Sequence, residues 1–367
     1  MEKELYLHHI RVNKNKRNNM KTHHLVIGLL SLFLLGACSS NPIEKRATGL
    51  AYEIVVTMDP ALWKGEVGEA IKADLASEVL GLPQSEPALR ITFVGPEHFN
   101  GLLTYVRNIF VLNIDPQKYT QTSLSFERDI WANGQLVLMM NSPSAEDAIA
   151  YANAHPKAMV NFFVKEEMTR AASQYQRSYS QLVYEKVKGK FDVTLKVSDD
   201  MTFFKDTTDF FWASNNANTG RIDVVVYSFP YTDPETFTLD YLIAKRDSAM
   251  KANLPGSFPN SYMTTSTNYA MPTYTPITVN GKYTGVLRGL WRMEGDMMGG
   301  PFVSHARLDE VNNRVIVAEG FVYAPETSKR NYIRRIEAAL YTMVLPGETS
   351  EIQEVQTIPA AQIEEKE

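Results

Sequence analysis

Three histidines follow residue 37: His98, His155 and His305. None stands at metal-ligand spacing from another histidine or from the one cysteine, Cys38. His155 precedes a proline, His98 falls in a short loop, and His305 lies in "FVSHARLD" beside Ser304. Neighbours on a strand point to opposite faces, so Ser304 and His305 are not a ready nucleophile and base. The chain has no G-x-S-x-G elbow and no phosphate-type glycine loop. No metal site or cofactor motif is expected. The carboxylate in the most unusual setting is Asp296, within "GDMMGGPF" (Gly295–Phe302), where three glycines and a proline call for special backbone angles. One reading is a binding loop, with Asp296 offering a carboxylate and Met297 and Met298 a soft apolar contact. The other is a wide hairpin turn joining "VLRGLWRMEG" to "FVSHARLD". Hydrolytic chemistry would need Asp296 and His305 as an acid–base pair in one cleft.

Cys38 raises a different chemistry. Leu25–Leu35 is an apolar run broken only by Gly28 and Ser31, with Lys21, His23 and His24 before it and Gly36 and Ala37 after it. Charged head, short apolar middle and small-residue end make a secretory signal pattern. The run falls well short of the ~20 residues that span a bilayer as a helix. Leu35-Gly36-Ala37-Cys38 resembles the bacterial lipobox, whose cysteine thiol is acylated and becomes the new N-terminus. Two or more acyl chains anchor a protein stably. The expected partner of Cys38 is therefore a lipid bilayer. Residues 1–19 are polar and basic and do not fit a signal, so Met20 is the expected start of translation. Ser39, Ser40 and Asn41, rather than acidic residues, follow the cysteine, which favours an anchor in the inner leaflet of the outer membrane, facing the periplasm.

From Cys38 onward 330 residues remain, with 31 basic and 40 acidic side chains, a net charge of −9. That balance argues against nucleic acid, which requires a basic face. An acylated Cys38 leaves no thiol for an internal disulfide, so packing must supply the stability, and the length allows one or two ordinary cores.

These residues must be positioned by strands and helices. Residues 38–50 read as a tether. "YEIVVTMD" alternates as a strand, and Val67, Ile71, Leu75 and Val79 mark a helix that stops at Gly81 and Pro83. "LRITFVG", "RNIFVLNID" and the hairpin "SLSFERDIWANGQLVLMMN" follow, with Asn133-Gly134 suited to a tight turn. Ser142 or Ser144 caps the next helix, and helical spacing then runs to about Lys188. After that the phrases echo. "FDVTLKVSDD" resembles "YEIVVTMDP", "RIDVVVYSFP" resembles "RNIFVLNIDP", and the phrases around Trp131 and Trp291 match in order. A duplication is one reading; the other is that α+β domains share such phrases. Trp131 and Trp291 alternate with apolar neighbours and are expected in the core. "SFPNSYMTTSTNYAMPTYTPITVNG" (257–281) lacks apolar period and reads as a long loop exposing Tyr262, Tyr269 and Tyr274. The tail from 347 is acidic and expected to be disordered.

The stretch "RGLWRMEGDMMGGPFVSHARLDEVNNRVIVAEGFVYAPETSKRNYIRRIEAALYTMVLP" (Arg288–Pro346) resembles a family of Gram-negative envelope lipoproteins classed as a domain of unknown function, and so does "GRIDVVVYSFPYTDPETFTLDYLIAKRDSAMKANLPG". The resemblance spans about 38–346. It implies lipid anchoring in the envelope and brings no activity, ligand or catalytic residue.

The expectation is an α+β protein of two related halves, 51–188 and 189–346, each an antiparallel sheet with helices on one face. Residues 1–37 precede it as a signal, the tether joins at 38–50, and 347–367 trail it. The leading function is a non-catalytic envelope lipoprotein that binds an envelope protein or glycan. The alternative is a hydrolase of envelope glycan or peptide using Asp296 and His305. The loop Gly295–Pro301 and the segment 262–283 are expected to wall a partly apolar groove, with Asp296 at its mouth and His305 within reach.

Overall fold

A computed structural model describes residues 45–279, 281–349 and 363–365. The signal segment, Cys38, most of the tether and most of the acidic tail lie outside them. Among the described residues no helix is long and apolar enough to cross a membrane.

The first half runs β1 (Glu53–Thr57), α1 (Pro60–Lys64), α2 (Glu66–Leu75), β2 (Arg90–Phe93), β3 (Asn108–Ile114), β4 (Ser123–Arg128), β5 (Leu136–Ser142), α3 (Ala145–Ala154) and α4 (Ala158–Arg177). Asp59 caps α1 by accepting the Ala61 N–H at 2.8 Å, with Pro60 in the first turn. Ser144 caps α3 through the Asp147 N–H. The helical crossover through α1 and α2 returns the chain in its original direction, so β1 and β2 pair in parallel. β3 lies parallel to β1 and β5 parallel to β3, while β4 alone runs antiparallel to β5. The expected antiparallel sheet is thus corrected to a mostly parallel one, because strand-like phrases carry no record of the direction in which a crossover returns. One face, with Ile54, Val56, Phe110 and Leu138, packs on α2, α3 and α4. Val55, Ile109 and Val137 on the other are covered by Phe99 and Trp131, whose rings meet edge to face.

The second half runs α5 (Gln181–Phe191), β6 (Phe203–Thr207), β7 (Phe210–Ser214), β8 (Arg221–Pro230), α6 (Leu239–Asn253), β9 (Tyr262–Ser266), β10 (Thr273–Val279), β11 (Lys282–Glu294), β12 (Gly299–Asp309), β13 (Arg314–Tyr323) and α7 (Arg330–Leu340). Its sheet has the order β10-β11-β12-β13-β8-β7-β6, with β9 also on β11, and every pairing is antiparallel. Strand side chains alternate between faces. Val224, Val303, Ile316 and Ala318 face α5 and α7, whereas Val225, Phe302, Val317 and Phe321 face α6. Helices therefore cover both faces, not one. Double burial is the reason "RVIVAEGFVY" is apolar almost without interruption. A residual strand, β14 (Glu364–Glu365), pairs with β4.

The halves are not copies. Their strand orders and pairing directions differ, and "FDVTLKVSDD", expected as the counterpart of β1, makes only an isolated bridge from Thr194 to Val344. The Tyr-rich stretch expected as a loop contains β9 and β10. The expected single helix to Lys188 breaks at Ser178–Ser180, where the Ser180 hydroxyl accepts the Val183 N–H and donates to the Met201 carbonyl at 2.8 Å. The 20-residue α4 joins the halves: Val160 and Phe163 lie in the first core, Met168 and Tyr175 in the second. The Tyr175 hydroxyl donates to the Arg335 carbonyl of α7 at 3.1 Å.

Candidate functional site

Asp296 lies in the turn between β11 and β12, where Gly295 takes φ +74°. Its carboxylate accepts the Ser257 N–H at 3.1 Å and the Met297 N–H at 2.6 Å, and these bonds hold its carboxyl below the usual carboxylate range. The side chain ties two loops together. Met297 is 99% exposed beside it, and Met298 packs against the α6-side core. Tyr262 pairs with Glu294 on β9, under the Lys251 ammonium. Tyr269 is exposed between β9 and β10, and the Tyr274 hydroxyl bonds that of Tyr283.

His305 is elsewhere. It is buried in β12, opposite Val286 and six residues from Gly299. At about 3.3 Å per residue it sits roughly 20 Å along the strand from the turn. The structure therefore brings Asp296, Met297 and Tyr262 to one end of the sheet and leaves His305 out. The expected groove containing Asp296 and His305 is not formed, and the two cannot share a proton-transfer cleft. The strand between them is simply too long, a separation that adjacent sequence phrases conceal.

The surroundings of His305 are more informative. Pairing with Val286 places it on the face that carries Arg288, beneath α7. Arg334 and Glu337 on α7, and Tyr341 capping its C-terminal end, follow at helical spacing and share one side. The Arg288 guanidinium bonds the Glu337 carboxylate at 2.5 Å, and Arg334 lies 3.6 Å from its other oxygen. Burial alone would raise the Glu337 carboxyl, but Arg288 and Arg334 outweigh it and hold it low. Burial pushes the Tyr341 phenol up. It pushes the His305 imidazole down to about 3, Arg288 and Arg307 acting in the same sense and Glu337 against them. His305 is thus neutral near pH 7, its ring edge-on to Tyr341 at 4.8 Å, and its Nε2 has no partner.

Arg288, Arg334, Glu337 and Tyr341, though not His305, floor a cavity of about 200 Å³ at the seam between the halves. The first half contributes the Val79–Leu80 loop and the start of α4; the second contributes Ile277, Val286 and Arg288 from β10 and β11 and the side of α7. Gly81 permits the approach: a Cβ there would meet Arg288 Cβ and the Gly289 nitrogen, each at 3.3 Å. Apolar walls thus stand over a charged floor. Among the described residues no group of three or more His, Cys, Asp or Glu could hold a metal ion. A second buried pair, in which Arg246 grips both oxygens of Glu319 and lies 3.9 Å above the Phe302 ring, pins α6 to the opposite face, and neither residue lines the seam cavity.

Sequence reasoning missed Arg288, Arg334, Glu337 and Tyr341. One signal existed: "VLRGLW" sets a guanidinium into an inward position of an otherwise apolar strand, where a charge needs a partner.

Both halves match families of unknown function. Residues 47–176 match the domain of unknown function DUF8532, and residues 180–342 match DUF4837. The gap between the matches falls at the α4–α5 break. No curated protein matches the chain. Among solved structures, one from Bacteroides thetaiotaomicron VPI-5482 is similar over 42% of this chain and 46% of its own length, at 12% identity and a TM-score of 0.24. The likeness thus spans less than half of either chain.

Proposed function

We propose that the chain is a lipid-anchored envelope protein, held through an acylated Cys38 with its α+β body facing the periplasm, and that it binds a ligand in the seam cavity rather than transforming one. The anchor rests on Leu35-Gly36-Ala37-Cys38 and the apolar run before it. The observation that carries the binding role is the cavity itself. Protein interiors are packed to crystal density, yet two halves of unlike topology meet here around a hollow with a polar floor. Catalysis is the poorer fit: the nearest imidazole, His305, is enclosed and neutral, and Glu337 is already engaged by two guanidiniums.

Val164 lines the cavity from α4, and Val164→Trp would fill it. The full chain isolated from envelope membranes should carry a small molecule in native mass spectrometry, and the tryptophan variant should not, while keeping its melting temperature. Equal loads in both proteins would remove the cavity as the site. Cys38→Ser should abolish acyl labelling and release the protein from the membrane fraction; retention as tight as wild type would assign the anchor to another segment.

A further inference from the structure

We infer that the ligand of the seam cavity is a small organic monoanion, a carboxylate carried on an apolar body about the size of a benzene ring. This rests on the cavity being a ligand site, as proposed above.

The charge argument comes first. Leaving out Lys165, which is already engaged, the cavity is lined by three cationic side chains, Arg288, Arg334 and Lys157, against two anionic ones, Glu78 and Glu337, in a chain whose net charge is −5. At the floor the imbalance is sharper, with two guanidiniums facing the single Glu337 carboxylate. Arg334 Nη1 stands 3.6 Å from the Glu337 carboxylate, beyond hydrogen-bond reach, and the side chain is 15% exposed. A guanidinium presents a planar fork that fits a carboxylate through two parallel bonds. One more carboxylate on the exposed part of the Arg334 guanidinium would balance the floor. A second anionic charge would not be matched there.

Shape supplies the other half. Val160, Val164, Met168, Ile277 and Ile333 form apolar walls, which a bare inorganic anion would leave in contact with water. An apolar cavity of about 150 Å³ accepts benzene, and drug-sized ligands take about 300 Å³ or more. The seam cavity, about 200 Å³, therefore suits a ring or short chain plus one carboxylate.

The test uses the full chain and four probes: benzoate, hexanoate and their amides, which match the acids in shape but not in charge. Titration calorimetry should show the acids binding wild type at least about tenfold more tightly than the amides. Arg334→Gln should weaken the acids by about tenfold or more with an unliganded melting temperature close to wild type, and Val164→Trp should abolish their binding. If the amides bind as well as the acids and Val164→Trp removes both, the anion is wrong while the cavity stands. Acid binding unchanged in Val164→Trp overturns the site for this ligand class. If no acid binds wild type at about 10 mM, the proposal falls, and the co-purification experiment decides separately whether the cavity is a site at all.

Discussion

The Glu86 carboxylate caps the first turn of α7, accepting the Arg330 N–H at 3.0 Å and the Lys329 N–H at 2.6 Å, with the Ser328 hydroxyl on the same carboxylate. Glu86 belongs to the loop after α2, so a residue of the first half closes the N-terminus of a helix of the second. Arg330 returns the contact by donating to the Pro87 carbonyl at 2.9 Å. A carboxylate at a helix N-terminus satisfies orphan N–H groups and meets the positive end of the helix dipole. This latch holds the loop that walls one side of the seam cavity.

Removing the latch should therefore loosen the seam as well as the helix. Glu86→Ala is expected to cost about 1–3 kcal/mol in urea unfolding and to raise amide hydrogen exchange in the first turn of α7. Burial alone would raise the Glu86 carboxyl, but the bonds from Ser328, Lys329 and Arg330 outweigh it and hold it low. Its contribution is thus present above the ordinary glutamate range and lost as pH falls through the depressed value. Glu86→Gln should remove the pH dependence and keep part of the cap. Equal stability of wild type and Glu86→Ala would show the contact to be incidental.

His305 adds acid sensitivity of the same sign by another route. Its imidazole is neutral in the fold, with a pKa lowered to about 3, while in the unfolded chain it protonates near 6.5. The unfolded state binds the extra proton between those values, so stability falls as pH drops below about 6.5. Between pH 7.5 and 4.5 the loss attributable to this residue should be about 3 kcal/mol. His305→Gln should flatten that part of the curve in urea titrations. A variant whose stability falls as steeply as wild type would place the acid sensitivity elsewhere.

Local pattern made much of this fold legible. The Ser144 cap, the buried Trp291 and the long apolar β13 were readable because each depends on near neighbours in sequence. Strand direction was not. Nothing in "YEIVVTMD" records that α1 and α2 return the chain parallel to β1. The stretch 257–281 reads as a loop because β9 and β10 carry Tyr and Thr rather than an apolar stripe, although these residues suit a half-solvated strand. The seam floor was the least legible feature. Arg288 and Glu337 come from distant elements, and their meeting depends on sheet register and on where α7 docks, neither of which leaves a local mark.

Asp74 tests the α2–α4 contact inside the first half. Burial raises its carboxyl to about 6, against the opposing N–H groups of Val160, Lys157 and Met159, and its Oδ2 has no partner. A carboxyl raised in the fold contributes stability that is complete below its unfolded value near 3.9 and is lost as pH rises through about 6. At pH 7.5 the ionised group should therefore cost about 3 kcal/mol relative to its protonated form. Asp74→Asn keeps an oxygen to accept the Val160 N–H, which lies 2.8 Å from Oδ1. The variant should gain on wild type as pH rises from 4 to 7.5. If it loses stability equally at both, Asp74 works as an ionised cap and burial does not control it.

Gly320 fixes how closely α7 lies on the sheet that carries Arg288. It sits in β13 on the α7 side, and an added Cβ would fall 2.2 Å from Ile336 Cγ1 and 2.6 Å from Cγ2. Its backbone is not left-handed, so glycine is required by the approach of the helix. Gly320→Ala should push α7 outward and cost about 1–3 kcal/mol. Because α7 carries Arg334 and Glu337, the same change should weaken the Arg288–Glu337 contact. Ile336→Ala alone leaves a cavity and should cost about 2–5 kcal/mol. The double variant gives the decisive comparison, since the alanine at 320 then occupies space that Ile336 has vacated. Its destabilisation should be smaller than the sum of the two single costs by about 1 kcal/mol or more. Strictly additive losses in a urea double-mutant cycle would mean that α7 is not held against β13 at this point and that Gly320 is glycine for some other reason.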